Sequence, residues 1–131
     1  MSSFRFRVLP ERLAIARLAH DAPFPHWADG QFVHLARTPD EVSIVCAQSC
    51  VPPSVRHERE RVALGIVGVV EMTTIGVLAA LCGALAHAGV SVFVISTYDT
   101  DWLLVRAEQF AAAKAALEGA GHTVEGELPR A

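Results

Sequence analysis

The sequence predicts an α+β fold in which two small β-α-β-β-α-β units follow one another and the first unit is truncated. Three observations favour this fold. No formally charged residue lies between Glu71 and Asp99, and an uncharged run of that length is typical of a buried core. Gly89 divides the run into a segment with helical periodicity and a segment rich in β-branched residues. Short matches between the two halves of the chain occur in the same order, which indicates an internal repeat.

The composition excludes several classes of protein. Of the 131 residues, 52% are hydrophobic and 19% are charged, so the chain has enough apolar side chains to form a core. The formal net charge is -3 and no basic block is present. We therefore expect no nucleic-acid partner and interpret Arg5 and Arg7 as part of a solvated N-terminal arm. The helical part of the uncharged run, Thr74 to Ala88, is too short to span a bilayer, which needs roughly 20 residues.

No cofactor, metal or membrane partner is expected. The N-terminus lacks the apolar segment of a signal peptide, so we expect a cytoplasmic protein. The three cysteines do not form a CxxC pair. A metal site made of Cys46, Cys50 and His57 is a minor alternative, because no further pair of His or Cys residues follows at zinc-site spacing.

The first half of the chain has the pattern of strands separated by turns. Asp21 to Pro25 contains two prolines, which exclude a regular helix, and Pro25 to Asp29 is compatible with one helical turn. Thr38-Pro39-Asp40 fits a type I turn between two strands that form a hairpin. The predicted strands are Leu13–Leu18, Gln31–Arg37 and Glu41–Ala47, followed by a loop or short helix over Gln48–Glu58.

The second half has a full set of helices and strands. Thr73 or Thr74 is predicted to cap a helix that is buried over much of its circumference, and Gly89 suits the left-handed position that ends it. Val92 to Ile95 is apolar on both faces, which predicts that both faces of the sheet are covered there. Strands are predicted over Glu60–Gly68, Ser91–Thr97, Trp102–Arg106 and His122–Glu125, and helices over Ile75–His87 and Ala107–Glu118.

This order of elements is the ferredoxin-like one, and the first half resembles a shortened copy of it. Glu11-Arg12-Leu13-Ala14 corresponds to Glu60-Arg61-Val62-Ala63, and Gly30 corresponds to Gly89. The offset between matched positions increases along the chain, as expected if the first copy has lost most of its first helix. We therefore predict a truncated module over residues 8–58 and a complete module over residues 59–131, packed as a pseudo-dimer that closes the open sheet surfaces.

A family resemblance rests mainly on the segment from Val92 to Val105, which contains the hairpin sequence Ser96-Thr97-Tyr98-Asp99-Thr100-Asp101. This segment resembles the signature of ACT domains, in the branch of small bacterial tandem-ACT proteins, and is similar to the ACT modules of eukaryotic cytosolic arginine sensors. Gly76-Val77-Leu78 and Gly89-Val90-Ser91 support the resemblance. It implies two ferredoxin-like ACT modules in tandem that bind small molecules, usually amino acids, and that act as a non-enzymatic regulatory or sensor protein.

The resemblance places a ligand between the loop that enters the first helix of the second module and an adjacent strand and hairpin. A helix N-terminus suits a carboxylate, Gly76 permits close approach, and Asp99 or Asp101 suits an ammonium group. Ile75 departs from the family pattern, which has Thr at that position, and so removes a hydroxyl from the pocket. The ligand-binding residues carried over are Thr73, Thr74, Ile75, Gly76 and Val77 on one side and Ile95, Ser96, Thr97, Asp99 and Asp101 on the other.

Two other functions remain open from the residues. A structural module that only dimerises, without a ligand, is favoured by the apolar faces of Val92 to Ile95, and a homodimer is expected in either case. An enzyme is not expected, because Glu71 is a candidate base that no recognisable nucleophile motif accompanies. Thr97, Asp99 and Thr100 are also ordinary turn formers, so the hairpin is compatible with a purely structural role.

Overall fold

The computed structural model describes residues 3–131, which divide into two compact units. The larger unit comprises the N-terminal segment through Pro10 together with Val62–Pro129, and the smaller comprises Glu11–Arg61 with the last two residues. Single turns of 3-10 helix lie at Gln48–Cys50 and Ala107–Gln109. The strands are β1 (Arg5–Val8), β2 (Leu13–Ala19), β3 (His34–Arg37), β4 (Glu41–Ala47), β5 (Arg56–Ile66), β6 (Val92–Ser96), β7 (Asp101–Arg106) and β8 (Thr123–Glu125), and the helices are α1 (Val77–His87) and α2 (Phe110–Gly119).

The larger unit is a mixed sheet whose strands pair in the order β6-β7-β5-β1-β8. β6 and β7 form an antiparallel hairpin, and β1 is antiparallel to the end of β5 and parallel to β8. The two helices contact each other and contribute apolar residues to one core with the sheet. The buried members of this core are Phe6, Val62, Leu64, Ile66, Leu81, Leu85, Val90, Leu103, Val105, Phe110, Ala113, Leu117 and Val124.

β1 corrects the prediction of a solvated N-terminal arm. Phe4, Arg5, Phe6 and Arg7 alternate with the period of a strand, and Phe6 is completely buried whereas both arginines are exposed. The alternation of apolar and polar residues is typical of a strand, but the charge of the two arginines led to the prediction of a solvated arm. β1 lies between β5 and β8, so it is an internal strand of the sheet.

α1 begins later than predicted and without a threonine cap. Its N-cap is Gly76, in the left-handed conformation with φ of 85°, and no side chain caps the helix. The predicted end is confirmed: Gly89 has φ of 74°, its N–H donates to Ala86 (3.0 Å), and the N–H of Val90 donates to Leu85 (2.9 Å). These two bonds are the pair that closes a Schellman motif.

Two predictions of burial are wrong for the described chain. Only Leu81 and Leu85 of α1 are buried, and the remaining surface of this uncharged helix is half-buried or exposed. On β6, Phe93 is 39% exposed whereas Ile95 on the same face is buried, so that face is only partly covered. β6 is hydrogen-bonded only to β7 among the described residues and therefore lies at an edge of the sheet.

The smaller unit consists of strands without an α-helix among its described residues. β2, β3, β4 and the first half of β5 pair antiparallel in the order β3-β4-β2-β5. β3 begins at His34 rather than at Gln31, and the predicted helical turn is a single turn in which the N–H of Ala28 donates to Pro25 (3.4 Å). The core comprises Ala14, Ala16, Val42, Ile44, Cys46 and Val51.

A strained residue interrupts β5 in this unit. Glu60 has φ of 61°, which a residue with a side chain rarely adopts, and the register of β2 against β5 shifts beside it. Its carboxylate accepts from Arg12 (2.6 Å) and from Nε2 of the buried Gln48 (3.3 Å), and its N–H donates to Oε1 of Gln48 (2.9 Å). The Arg12 hydrogen bond lowers the pKa of the Glu60 carboxyl. The strained conformation therefore persists because surrounding hydrogen bonds hold it.

Candidate functional site

The N-terminus of α1 presents unpaired hydrogen-bond donors. The first bond of the helix runs from the N–H of Ala80 to the carbonyl of Gly76 (3.0 Å). Within the described chain, the amides of Val77, Leu78 and Ala79 therefore have no backbone acceptor, and no side chain caps them. These amides and the positive end of the helix dipole together favour an anion.

A cleft of about 380 Å³ opens beside this helix end, and we refer to it as the α1 cleft. Residues from three segments line it: the loop after β5, the first turn of α1, and the β6–β7 hairpin. They are Val70, Glu71, Met72, Thr74, Gly76, Val77, Leu78, Ala79, Ser96, Thr97, Tyr98, Thr100 and Asp101. The open end of α1 and the polar hairpin thus face the same space.

Hydrogen bonds fix the shape of the hairpin. The N–H of Thr97 donates to the carbonyl of Thr100 (2.9 Å), which closes the turn. The hydroxyl of Ser96 donates to Oδ1 of Asp101 (2.6 Å), so the carboxylate is held in position. The Thr100 hydroxyl donates to the carbonyl of Ile66 (3.0 Å), which ties the hairpin to the end of β5.

The loop that precedes α1 is tied to the same hairpin. The N–H of Val70 donates to the backbone carbonyl of Asp99 (2.7 Å). This bond places Val70, Glu71 and Met72 along the wall of the cleft. The contribution of Asp99 is therefore made by its backbone, and its exposed side chain does not line the cleft.

The structure places six of the ten predicted binding residues along the α1 cleft and four elsewhere. Those in the cleft are Thr74, Gly76, Val77, Ser96, Thr97 and Asp101. Ile95 is buried opposite Trp102 in the β6–β7 pair, and Ile75 is 95% exposed. Thr73 and the Asp99 side chain are exposed outside the lining.

Sequence reasoning missed part of the lining. Val70, Met72, Leu78, Ala79 and Thr100 were not predicted as binding residues. Glu71 was considered only as a catalytic base, and Tyr98 lay outside the set carried over from the family resemblance. Their positions in the sequence could have indicated them, because these residues directly flank the predicted binding residues.

The chemistry of the α1 cleft is polarised. At one end the amides of Val77, Leu78 and Ala79 offer donors, and elsewhere the carboxylates of Glu71 and Asp101 offer acceptors. Among residues 3–131, no lysine, arginine or histidine lines the cleft. A small molecule with a carboxylate and an ammonium group matches both kinds of group.

Two further features are absent from residues 3–131. No helix combines the length and the hydropathy that a membrane crossing requires. No group of three or more His, Cys, Asp or Glu side chains converges in a way that would hold a metal ion.

The chain was compared with protein families and with curated proteins. The model of an ACT domain matches residues 56–119, and a model described as an N-terminal domain matches residues 11–54. The comparison with curated proteins found no match.

Solved structures share the fold over most of the chain. A protein from Agobacterium tumefaciens is 31% identical, with a TM-score of 0.90 and 100% of both chains covered. A protein of unknown function from Vibrio cholerae, a possible transport protein, is 18% identical, with a TM-score of 0.70 and 89% of each chain covered. The regulatory subunit of aspartate kinase from Thermus thermophilus is 16% identical, with a TM-score of 0.59, covering 87% of this chain and 97% of that one. The chain belongs to the ACT-domain proteins.

Proposed function

We propose that this protein is a non-enzymatic regulatory or sensor protein that binds an amino acid in the α1 cleft. The observation that carries the proposal is the uncapped N-terminus of α1, which opens onto a cleft that also contains the carboxylates of Glu71 and Asp101. The fold that the chain shares with a regulatory subunit of aspartate kinase supports a regulatory role. A cytoplasmic location is part of the same proposal.

The polarity of the cleft suggests how the ligand lies. Its α-carboxylate accepts hydrogen bonds from the free amides of Val77, Leu78 and Ala79, where the helix dipole also favours negative charge. Its α-ammonium donates to the Asp101 carboxylate, which Ser96 already holds in place. Gly76, which has no side chain, leaves the backbone open to the ligand.

The side chain of the ligand then faces the rest of the wall. Met72, Leu78 and Tyr98 provide apolar and aromatic contacts, and Glu71 adds a second carboxylate. A second acidic group in a cleft without lysine, arginine or histidine favours a ligand whose own side chain is neutral or basic.

Calorimetric titration with the standard amino acids at millimolar concentration tests the proposal. We expect at least one neutral or basic amino acid to bind, and Asp101→Asn to weaken its affinity by about tenfold or more, because a hydrogen bond to a charged group contributes about 1.5–3 kcal/mol. The matched control is Asp99→Asn in the same hairpin, whose side chain lies outside the cleft. If no amino acid binds, or if both variants weaken binding equally, the proposal fails.

A second candidate is a module that dimerises without a ligand. Ala79, Gly83 and Ala86 form an exposed stripe of small residues on α1, and Phe93 is exposed on the edge strand β6. A homodimer would cover these surfaces. Light scattering in the absence and presence of amino acids separates the two functions, because a pure dimerisation module keeps its mass unchanged.

The tandem organisation is also a proposal. We propose that residues 8–58 and 59–131 derive from one duplicated ACT module whose first copy is truncated and lost most of its first helix. The support is that the antiparallel hairpin β3–β4 follows β2 as the hairpin β6–β7 follows β5, while the described part of Glu11–Arg61 contains no α-helix.

A further inference from the structure

A second cavity lies against the first turns of α1 and differs in chemistry from the α1 cleft. We refer to it as the His122 pocket; its volume is about 330 Å³. It shares Thr74, Gly76 and Val77 with the cleft. Its other lining residues are Phe4, Ile75, Ala80, Leu81 and His122.

His122 is the only titratable side chain among the residues that line this pocket, and the end of α2 fixes its position. The N–H of Gly121 donates to Glu118 (3.0 Å) and the N–H of His122 donates to Leu117 (3.0 Å), which closes α2 with a Schellman motif. The imidazole is stacked on Phe4, with ring centroids 5.6 Å apart, and Phe6 contacts it edge-on. The residue is 6% exposed.

The hydrogen bonds of the ring determine its tautomer. Nδ1 of His122 lies 3.0 Å from the backbone nitrogen of Phe4. An amide N–H only donates, so Nδ1 is the acceptor and carries no proton. In the neutral ring the proton is therefore on Nε2, and burial lowers the pKa of His122, which favours this neutral form.

The Nε2–H donor has no acceptor among the described residues. The only hydrogen bond of the His122 side chain in this part of the chain is the one at Nδ1. No side-chain nitrogen or oxygen that is sealed from solvent lacks a partner, so Nε2 remains accessible. His122 lines the pocket, and Nε2–H is its one donor without an acceptor among the described residues.

The walls of the pocket favour a ligand that is mostly apolar and disfavour one with a charged side chain. Phe4, Ile75, Val77 and Leu81 supply aromatic and aliphatic surface, and no acidic side chain lines the pocket. The polar groups are the His122 donor and the Thr74 hydroxyl, beside the positive end of α1. An ammonium group would find no carboxylate here, whereas a carboxylate would find a donor and a favourable dipole.

We propose that the His122 pocket binds a small aliphatic monocarboxylate that carries no amino group. One carboxylate oxygen accepts the hydrogen bond from Nε2–H of His122, and the hydrocarbon chain packs against Phe4, Val77 and Leu81. This site shares Thr74, Gly76 and Val77 with the amino-acid site proposed above but differs from it in chemistry, because only the α1 cleft contains carboxylates that would bind an ammonium.

The test uses the intact protein and two probes with the same carbon skeleton, 4-methylpentanoate and 4-methylpentylammonium. The imidazole nitrogens of His122 and the amide of Phe4 are followed by NMR as each probe is added. We expect 4-methylpentanoate to shift these signals and to saturate at millimolar concentration, with the ammonium compound producing no saturable change.

Two substitutions then locate the contacts. His122→Asn keeps an acceptor for the Phe4 amide but removes the Nε2–H donor, and we expect it to weaken binding of 4-methylpentanoate by about tenfold or more. The matched control is His87→Asn, at the exposed C-terminus of α1, which should leave the affinity unchanged. Ala80→Leu fills the pocket from its wall, and we expect it to abolish binding while His122 keeps its tautomer signature.

Three results would overturn the proposal. The first is no saturable shift of the His122 signals in the wild-type protein up to roughly 20 mM 4-methylpentanoate, the range in which even a weak site fills. The second is equal binding of the ammonium probe, which would mean that the donor is not used. The third is a response confined to Tyr98 and Asp101, which would place the carboxylate in the α1 cleft instead.

Discussion

Glu60 shows how one residue stores strain within a strand. Its φ of 61° is unfavourable for any residue with a Cβ, and bonds to Arg12 and Gln48 hold it in place. Because those bonds are made partly by the side chain and partly by the backbone, the strain and the bonds can be separated by substitution.

We expect Glu60→Ala to lower the free energy of unfolding by about 1–3 kcal/mol, since it keeps the strain and leaves the buried Gln48 amide without its acceptor. Glu60→Gly loses the same side-chain bonds but removes the strain, so it should be less destabilising than Glu60→Ala by about 1 kcal/mol. Urea denaturation measures both. Glu58→Ala, on the exposed face of β5, is the control. If Glu60→Ala and Glu60→Gly lowered the free energy of unfolding equally, the strain at Glu60 would be contradicted.

The second prediction at the residue scale concerns the pH dependence of stability. Burial lowers the pKa of His122 in the folded state, so the unfolded state binds the proton more readily. The free energy of unfolding should therefore be constant above the unfolded pKa of about 6.5 and should decrease as the pH falls through it toward the folded pKa. Denaturation between neutral and mildly acidic pH measures this slope.

His122→Asn should flatten the decrease, whereas His87→Asn, at an exposed position, should keep it. A wild-type slope that persists in His122→Asn would assign the effect to another group.

At the scale of elements, α1 combines a glycine at its N-cap with a glycine inside it. Gly76 has φ of 85° and Gly83 has a helical backbone, and no atom lies within 4 Å of a Cβ built at either position. A Cβ would therefore fit at both positions, and the two glycines differ only in their backbone conformation.

We expect Gly76→Ala to destabilise the protein by about 1 kcal/mol, because alanine in the left-handed region is strained. Gly83→Ala should instead stabilise it by about 0.5–1 kcal/mol, through the higher helix propensity of alanine. Thermal and urea denaturation of the pair provide the comparison. If both substitutions changed the stability in the same direction, the left-handed conformation of Gly76 would be contradicted.

The elements also show which features the sequence could predict. The β6–β7 hairpin and the end of α1 at Gly89 follow from local signals, namely strand alternation, a polar turn and a C-terminal glycine. The start of α1 does not, because two threonines precede a glycine and propensity alone favours a threonine cap. The structure instead has Gly76 as the N-cap, in the left-handed conformation that glycine adopts readily.

Part of the α1 cleft was expected from the resemblance to ACT domains. That resemblance rests on the hairpin and on Gly76-Val77-Leu78, so Gly76, Ser96 and Asp101 could be named from it. Glu71 and Met72 enter the cleft through the bond between Val70 and Asp99, which joins residues distant in sequence. Ile75, although adjacent to Gly76, lies outside the α1 cleft and lines the His122 pocket, with 95% of its surface exposed.

At the scale of the whole molecule, exposed apolar surface on β6 and α1 predicts association. We expect Phe93→Glu to shift the protein toward a monomer, because a charge on an edge strand opposes pairing with another copy. Light scattering across a concentration series measures the change. Leu128→Glu, at a residue of similar exposure in the C-terminal segment, serves as the control. A wild-type protein that is monomeric at every concentration would contradict the expectation.

The position of β1 has a consequence for how the chain is made. β1 is synthesised first, yet its partners are the end of β5 and β8, which are separated from it by most of the chain. Phe6 can therefore reach its buried position only after Val124 has left the ribosome. The larger unit thus completes its sheet only once β8 has been synthesised, whereas the strands of Glu11–Arg61 are available to pair much earlier.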